Sequence, residues 1–192
     1  MLTTTTTQNL KAAGAILAAA LAALAVQAGH LLEHMLQLGY WFAHPAEPPW
    51  MTPWAMNLAH RLAVGGNQAL GIELLHLIGN LIFLAGLTAL ALVCRRVGHG
   101  GPRNLRIALT IQTLHVVEHT ALTSSVILAG QAVGVSTFFG LVDGQAMTSW
   151  RVWFHFLINL AASWYTARAL LDLRRTGVLA VALDRTARTD QR

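Results

Sequence analysis

Four long apolar runs, each broken by a few polar residues at helical spacing, set the organisation of this chain. They extend from Ala12 to Tyr40, Leu70 to Val93, Leu105 to Val133 and Val152 to Leu173, and each supplies the roughly 20 residues needed to cross a bilayer. The polar positions inside them do not alternate as in a half-buried strand. They recur every three or four residues, the spacing of one helix face. The pattern predicts an all-α integral membrane protein of four transmembrane helices packed as one small bundle.

The polar stripes repeat. Gln27, His30, Glu33 and His34 spell Gln-x-x-His-x-x-Glu-His, and Gln112, His115, Glu118 and His119 spell it again 85 positions later. A shorter pattern, His-x-x-x-Asn, occurs as His76 with Asn80 and returns 79 positions later as His155 with Asn159. Both patterns come in the same order, so a two-helix unit is duplicated. Residues 1–97 form the first repeat, 98–175 the second, and 176–192 a polar cytoplasmic tail, expected to be solvated and partly helical, carrying Asp184, Asp190 and Gln191. Two spans per unit give both copies the same direction through the membrane, related by a pseudo-two-fold axis along its normal. Corresponding residues then share one depth and face each other across the bundle.

The connections fix the orientation. With 55% hydrophobic and 11% charged residues, the chain has a membrane composition. A net charge of +5 would suit nucleic acid in a soluble protein, but here the arginines sit at particular span ends. Arg95, Arg96, Arg103 and Arg106 flank the middle turn, and Arg168, Arg174 and Arg175 follow the fourth span, whereas Glu47 and Asp143 mark the first and third connections. The positive-inside rule makes this a multi-pass protein of the cell (plasma or inner) membrane with both termini cytoplasmic and no nucleic-acid partner. In the first outer loop, Met51 to Val64 predict a short interfacial amphipathic helix ended by Gly65 and Gly66. Cys94 is the only cysteine, which excludes a disulfide framework. Cleavage of the first span as a signal peptide near Ala28 would sever the first motif, so that helix is expected to remain.

Ionisable groups at membrane depth mark functional sites. His30, Glu33, His34, His76, His115, Glu118, His119 and His155 converge on one layer in the outer half of the bundle, and imidazole with carboxylate is a ligand set for transition metals. The reading is a metal-binding membrane protein with these eight residues as ligands to two ions, iron or copper, with zinc an alternative. Gln27, Asn80, Gln112 and Asn159 lie one turn from the histidines and are placed to hold imidazole tautomers. Glu73, three residues before His76, has no counterpart before His155, where Val152 stands; it is the candidate catalytic acid or base, or else a partner of Arg61 or His60. Met51, Met56 and Met147, with His44 and His60, lie on the outer side and suit passage of a soft ion.

Clustered transmembrane histidines are similar in kind to those of membrane desaturases and alkane hydroxylases. The chain lacks their His-x-x-His-His boxes and adds glutamate, so the likeness is one of chemistry. The expected function is a dimetal oxidoreductase acting on oxygen and an apolar or lipid-like substrate. The rival readings are a metal transporter, a metal-handling or electron-transfer subunit of a membrane complex, and a haem b carrier, although haem leaves the Glu-His neighbours unexplained. A polar layer that only fixes helix register is a further rival. Small residues along the first span suit a homo-oligomer or a place in a larger complex.

Overall fold

The computed structural model describes the backbone of residues 3–187 except 46, 48, 49 and 143, and side chains between 14 and 182 outside those gaps. Asp143, Asp184, Asp190 and Gln191 lie outside the described side chains. The described residues form six α-helices and no strand: α1 (Thr3–Ala43), α2 (Pro53–Leu62), α3 (Gln68–Arg96), α4 (Arg103–Ala129), α5 (Gly144–Arg175) and α6 (Val178–Ala187). The four long ones form a ring in which α1 and α4 each pack against both α3 and α5.

Two connections meet at one end of this ring. The first holds α2 and the second a 3-10 turn at Val135–Gly140, and they are tied by Trp41 Nε1 donating to Ser149 Oγ at 3.1 Å and by Gln145 donating to the Pro45 carbonyl. The opposite end holds the short α3–α4 turn, where Asn104 donates to Asp172 at 2.7 Å. The helix expected within Met51 to Val64 is α2. Its start follows from Thr52, whose hydroxyl accepts from Ala55 N at 3.4 Å, with Pro53 at the first helical position. It packs on α3 through buried Ala55 and Ala59.

Four boundaries differ from expectation, the first being the start of α1 at Thr3 rather than Ala12. The third long helix stops at Ala129 rather than Val133, because Gly130 takes a left-handed conformation (φ 75°) and ends it. The fourth starts at Gly144 rather than Val152, so Trp150 and Arg151 belong to a helix. The polar tail opens with α6, whose Val178 and Ala182, spaced i and i+4, are buried in the core.

At the level of the histidines the bundle is polar inside and apolar outside. Gln27, Glu33, His34, Glu73, Asn80, Gln112, His115 and His119 are buried, while Leu32, Leu36, Leu81, Leu114, Val117, Ile127, Leu157 and Trp164 are exposed. Exposed threonines do not spoil that surface. Thr88, Thr110, Thr113 and Thr120 each donate their hydroxyl to the carbonyl four residues back, which hides the donor within the helix. By length and hydropathy, Gly14–Ala43 and Gln68–Arg96 could cross a membrane, with mean hydropathies of 1.9 and 2.3. The helices α4 and α5 are comparably long, at 27 and 32 residues, but do not meet the same measure of length and hydropathy. Below the polar layer the interior is apolar: Leu17, Phe83, Leu87, Leu90, Leu105 and Leu173 form one buried cluster.

Candidate metal centre

The histidines reach one layer because the helices are clasped beside it. Gln27 of α1 donates to Asn159 Oδ1 of α5 at 3.0 Å, and Gln112 of α4 donates to Asn80 Oδ1 of α3 at 2.8 Å. The glutamine of each motif therefore meets the asparagine of the other copy. Each asparagine donates in turn to the backbone carbonyl of the histidine one turn before it, Asn80 to His76 and Asn159 to His155, both at 2.9 Å. These four residues, expected to hold imidazole rings, instead fix the helix backbones that carry the rings.

The six rings form two triads, His30–His34–His76 and His115–His119–His155, in each of which one ligand nitrogen per residue lies within 4.8 Å of the others. The triads touch: His76 and His119 stack with centroids 5.3 Å apart, and His34 and His155 at 5.8 Å. Three donors no more than 4.8 Å apart lie within about 2.8 Å of a common centre. Metal–nitrogen bonds of about 2.0–2.1 Å then need ring shifts of only ~0.7 Å. Either triad could hold a metal ion. Gly79 of α3 makes room for this packing, since a Cβ there would come 3.3 Å from His30 Nδ1.

Tautomers are set by acceptors behind the rings. His76 Nδ1 lies 2.8 Å from the Ile72 carbonyl and His155 Nδ1 2.8 Å from the Arg151 carbonyl. A carbonyl only accepts, so Nδ1 carries the hydrogen and Nε2 presents its lone pair to the layer. His34 is held by a longer chain. Thr52 donates through its backbone N at 2.9 Å and its hydroxyl to Glu33, Gln37 Nε2 donates to the same carboxylate at 3.1 Å, and Gln37 Oε1 then faces His34 Nδ1 at 3.0 Å. Gln37 was not singled out from the sequence. It sits four residues beyond Glu33 on the same stripe, and that spacing was the available signal.

The two motif glutamates are not brought into the triads. Glu33 anchors the first connection through Thr52, and Glu118 anchors the second by accepting from Val135 N at 3.0 Å and Ser136 N at 2.8 Å. Gly134 allows this close approach, because a Cβ there would fall 2.7 Å from Glu118 Oε1. Glu73 is the carboxylate nearest the histidines. It pairs with Arg151, rather than with Arg61 or His60, and its other oxygen lies 3.6 Å from His119 Nδ1.

A cavity of about 490 Å³ lies between the layer and the two connections. His34, His76, His119 and His155 line it, with Glu73 and Arg151 beside them and Met51, Met56 and Met147 among the loop residues. His44 and His60 are exposed and do not line it. The rings themselves pack with centroids 4.7–6.1 Å apart.

Searches of curated proteins and of solved structures return no match. Residues 2–188 match the model of a family of unknown function, DUF6008. That match covers nearly the whole chain, so the duplicated motifs, both connections and both triads lie inside it, and the protein belongs to the DUF6008 family.

Proposed function

We propose that this protein is a membrane-embedded dimetal oxidoreductase, with one iron or copper ion on each histidine triad and an apolar substrate reaching them through the cavity. The observation that carries the reading is the second triad. Both nitrogens of His115, both of His119 and Nε2 of His155 are buried without a hydrogen-bond partner. Buried polar atoms left unmade cost about 1–3 kcal/mol each, and a bound ion would take up one nitrogen lone pair from each of the three rings.

The surface supports four membrane-spanning helices. The exposed faces of α4 and α5 carry large apolar side chains, as those of α1 and α3 do, and the reciprocal glutamine–asparagine clasps fit two copies related by a two-fold axis along the membrane normal. Arginines at the α3–α4 turn support a cytoplasmic position for that end, with the cavity on the outer side. An enzyme fits better than a transporter because the cavity ends on the histidine layer, and the buried apolar cluster fills the bundle below it. The histidines bind and orient the ions, which supply redox chemistry when bound. Glu73, held by Arg151 beside His119, is placed to take or return a proton at the cavity floor.

Elemental analysis of protein purified without chelator tests the reading, alongside oxygen uptake driven by an apolar donor. Two equivalents of iron or copper, with His115→Ala losing both metal and uptake, is the expected result. Folded protein that takes up no transition metal after reconstitution overturns it.

A further inference from the structure

Three of the five methionines, Met51, Met56 and Met147, line the one cavity whose floor is made by the histidines. They come from different parts of the chain, two from the first connection and its helix α2 and one from the start of α5. Met35, by contrast, points away from the bundle and is 53% exposed. Thioethers are soft, neutral donors. They bind Cu(I) and offer little to Zn(II), Mn(II) or Fe(II).

The donors below them point the same way. The triads present imidazole nitrogen only, because Glu33 and Glu118 are occupied by the connections. Carboxylate, the oxygen donor favoured by harder ions, is represented at the floor by Glu73 alone, and that group is paired with Arg151. Met56 is also held in place: its sulfur accepts from Gln68 Nε2 at 3.2 Å, leaving its second lone pair free.

We propose that the cavity is a capture site for Cu(I), in which the thioethers of Met51, Met56 and Met147 take the ion on the loop side and pass it to His34, His76, His119 and His155. The site rests on the reading of the histidine layer as a metal centre, and it assigns the metal as copper. Transfer needs no change of oxidation state. One neutral donor replaces another as the ion descends, thioether sulfur giving way to imidazole nitrogen.

The test is anaerobic loading of the purified, detergent-solubilised full chain with Cu(I) buffered by bicinchoninate, followed by X-ray absorption at the copper edge. Leucine conserves methionine's volume, so the Met51→Leu/Met56→Leu/Met147→Leu variant is compared with wild type and with Met35→Leu as control. Circular dichroism checks the fold, and single variants replace the triple one if it does not fold. At substoichiometric copper, wild type and Met35→Leu show a sulfur shell. The triple variant lacks that shell and loads at least tenfold more slowly, and Zn(II) loading is the same in all three. Equal Cu(I) loading with no sulfur shell in wild type overturns the capture site and leaves the histidine centre standing. Failure of wild type to load Cu(I) or Zn(II) overturns both.

Discussion

The two triads carry the same ligands at the same spacing, yet they treat their nitrogens differently. In the first, His30 Nε2 and His34 Nε2 lie 3.0 Å apart and bond to each other, while Gln37 and the Ile72 carbonyl hold the remaining sides of His34 and His76. In the second, five nitrogens have no partner, and the position matching Gln37 in the repeat is Leu122. Duplication copied the ligands and the backbone carbonyl behind the third histidine of each triad, but not the glutamine behind His34. The first triad, partly satisfied by its own hydrogen bonds, should tolerate an empty state better than the second. The nearest carboxylate to either triad, Glu73, also sits against the second, beside His119.

The largest effects should come from the ligands themselves. His119→Ala removes a ring of the second triad that also stacks on His76 of the first. Metal content should fall from two equivalents to one or fewer, a greater loss than the 10–100-fold in affinity typical of residues behind a ligand. The comparison sharpens in metal-free protein. His115→Leu deletes an orphaned, fully buried ring and should leave apo stability unchanged or raise it by about 1 kcal/mol, whereas His34→Leu strands Gln37 and should lower it by about 1–3 kcal/mol. Thermal denaturation of the two apo variants reads the opposite signs; a loss in both would show that the second triad is satisfied without metal.

Glu73→Ala leaves Arg151 without its carboxylate. Since the Arg151 side chain is 25% exposed, the cost should be about 2 kcal/mol, below that of a fully buried pair. Metal should remain bound while turnover falls. Gln37→Leu gives the first triad the second triad's residue, and should weaken metal at the first site by about 10–100-fold with no change at the second. The smallest effect is expected from Gly134→Ala, which pushes Glu118 off the second connection. About 1–2 kcal/mol of stability should be lost with both metal sites intact.

The histidines were legible from the sequence because helical periodicity alone puts His30 with His34 and His115 with His119, and the repeat brings in His76 and His155. The roles of the glutamates were not. Periodicity places Glu33 on the right stripe, but whether its carboxylate meets an ion or Thr52 depends on how the connection folds back, and that is a long-range contact between residues 19 positions apart. The same limit hid the Glu73–Arg151 pair, whose members are 78 positions apart. Spacing did reveal the glutamines and asparagines, but it could not show that each clasp crosses between repeats. The docking of α6 was obscured by charge: the two residues buried among its described side chains, Val178 and Ala182, are too few to stand out in an arginine-rich stretch.

The most direct measurement is metal stoichiometry in protein reconstituted with Cu(I), Fe(II) or Zn(II) and freed of loosely bound ion by gel filtration. The account predicts two ions per chain in wild type, one in His30→Ala/His34→Ala with the second triad still filled, and one or none in His115→Ala/His119→Ala. Correctly folded wild type that emerges with no ion would contradict it, and would leave the histidine layer as a polar seam between helices.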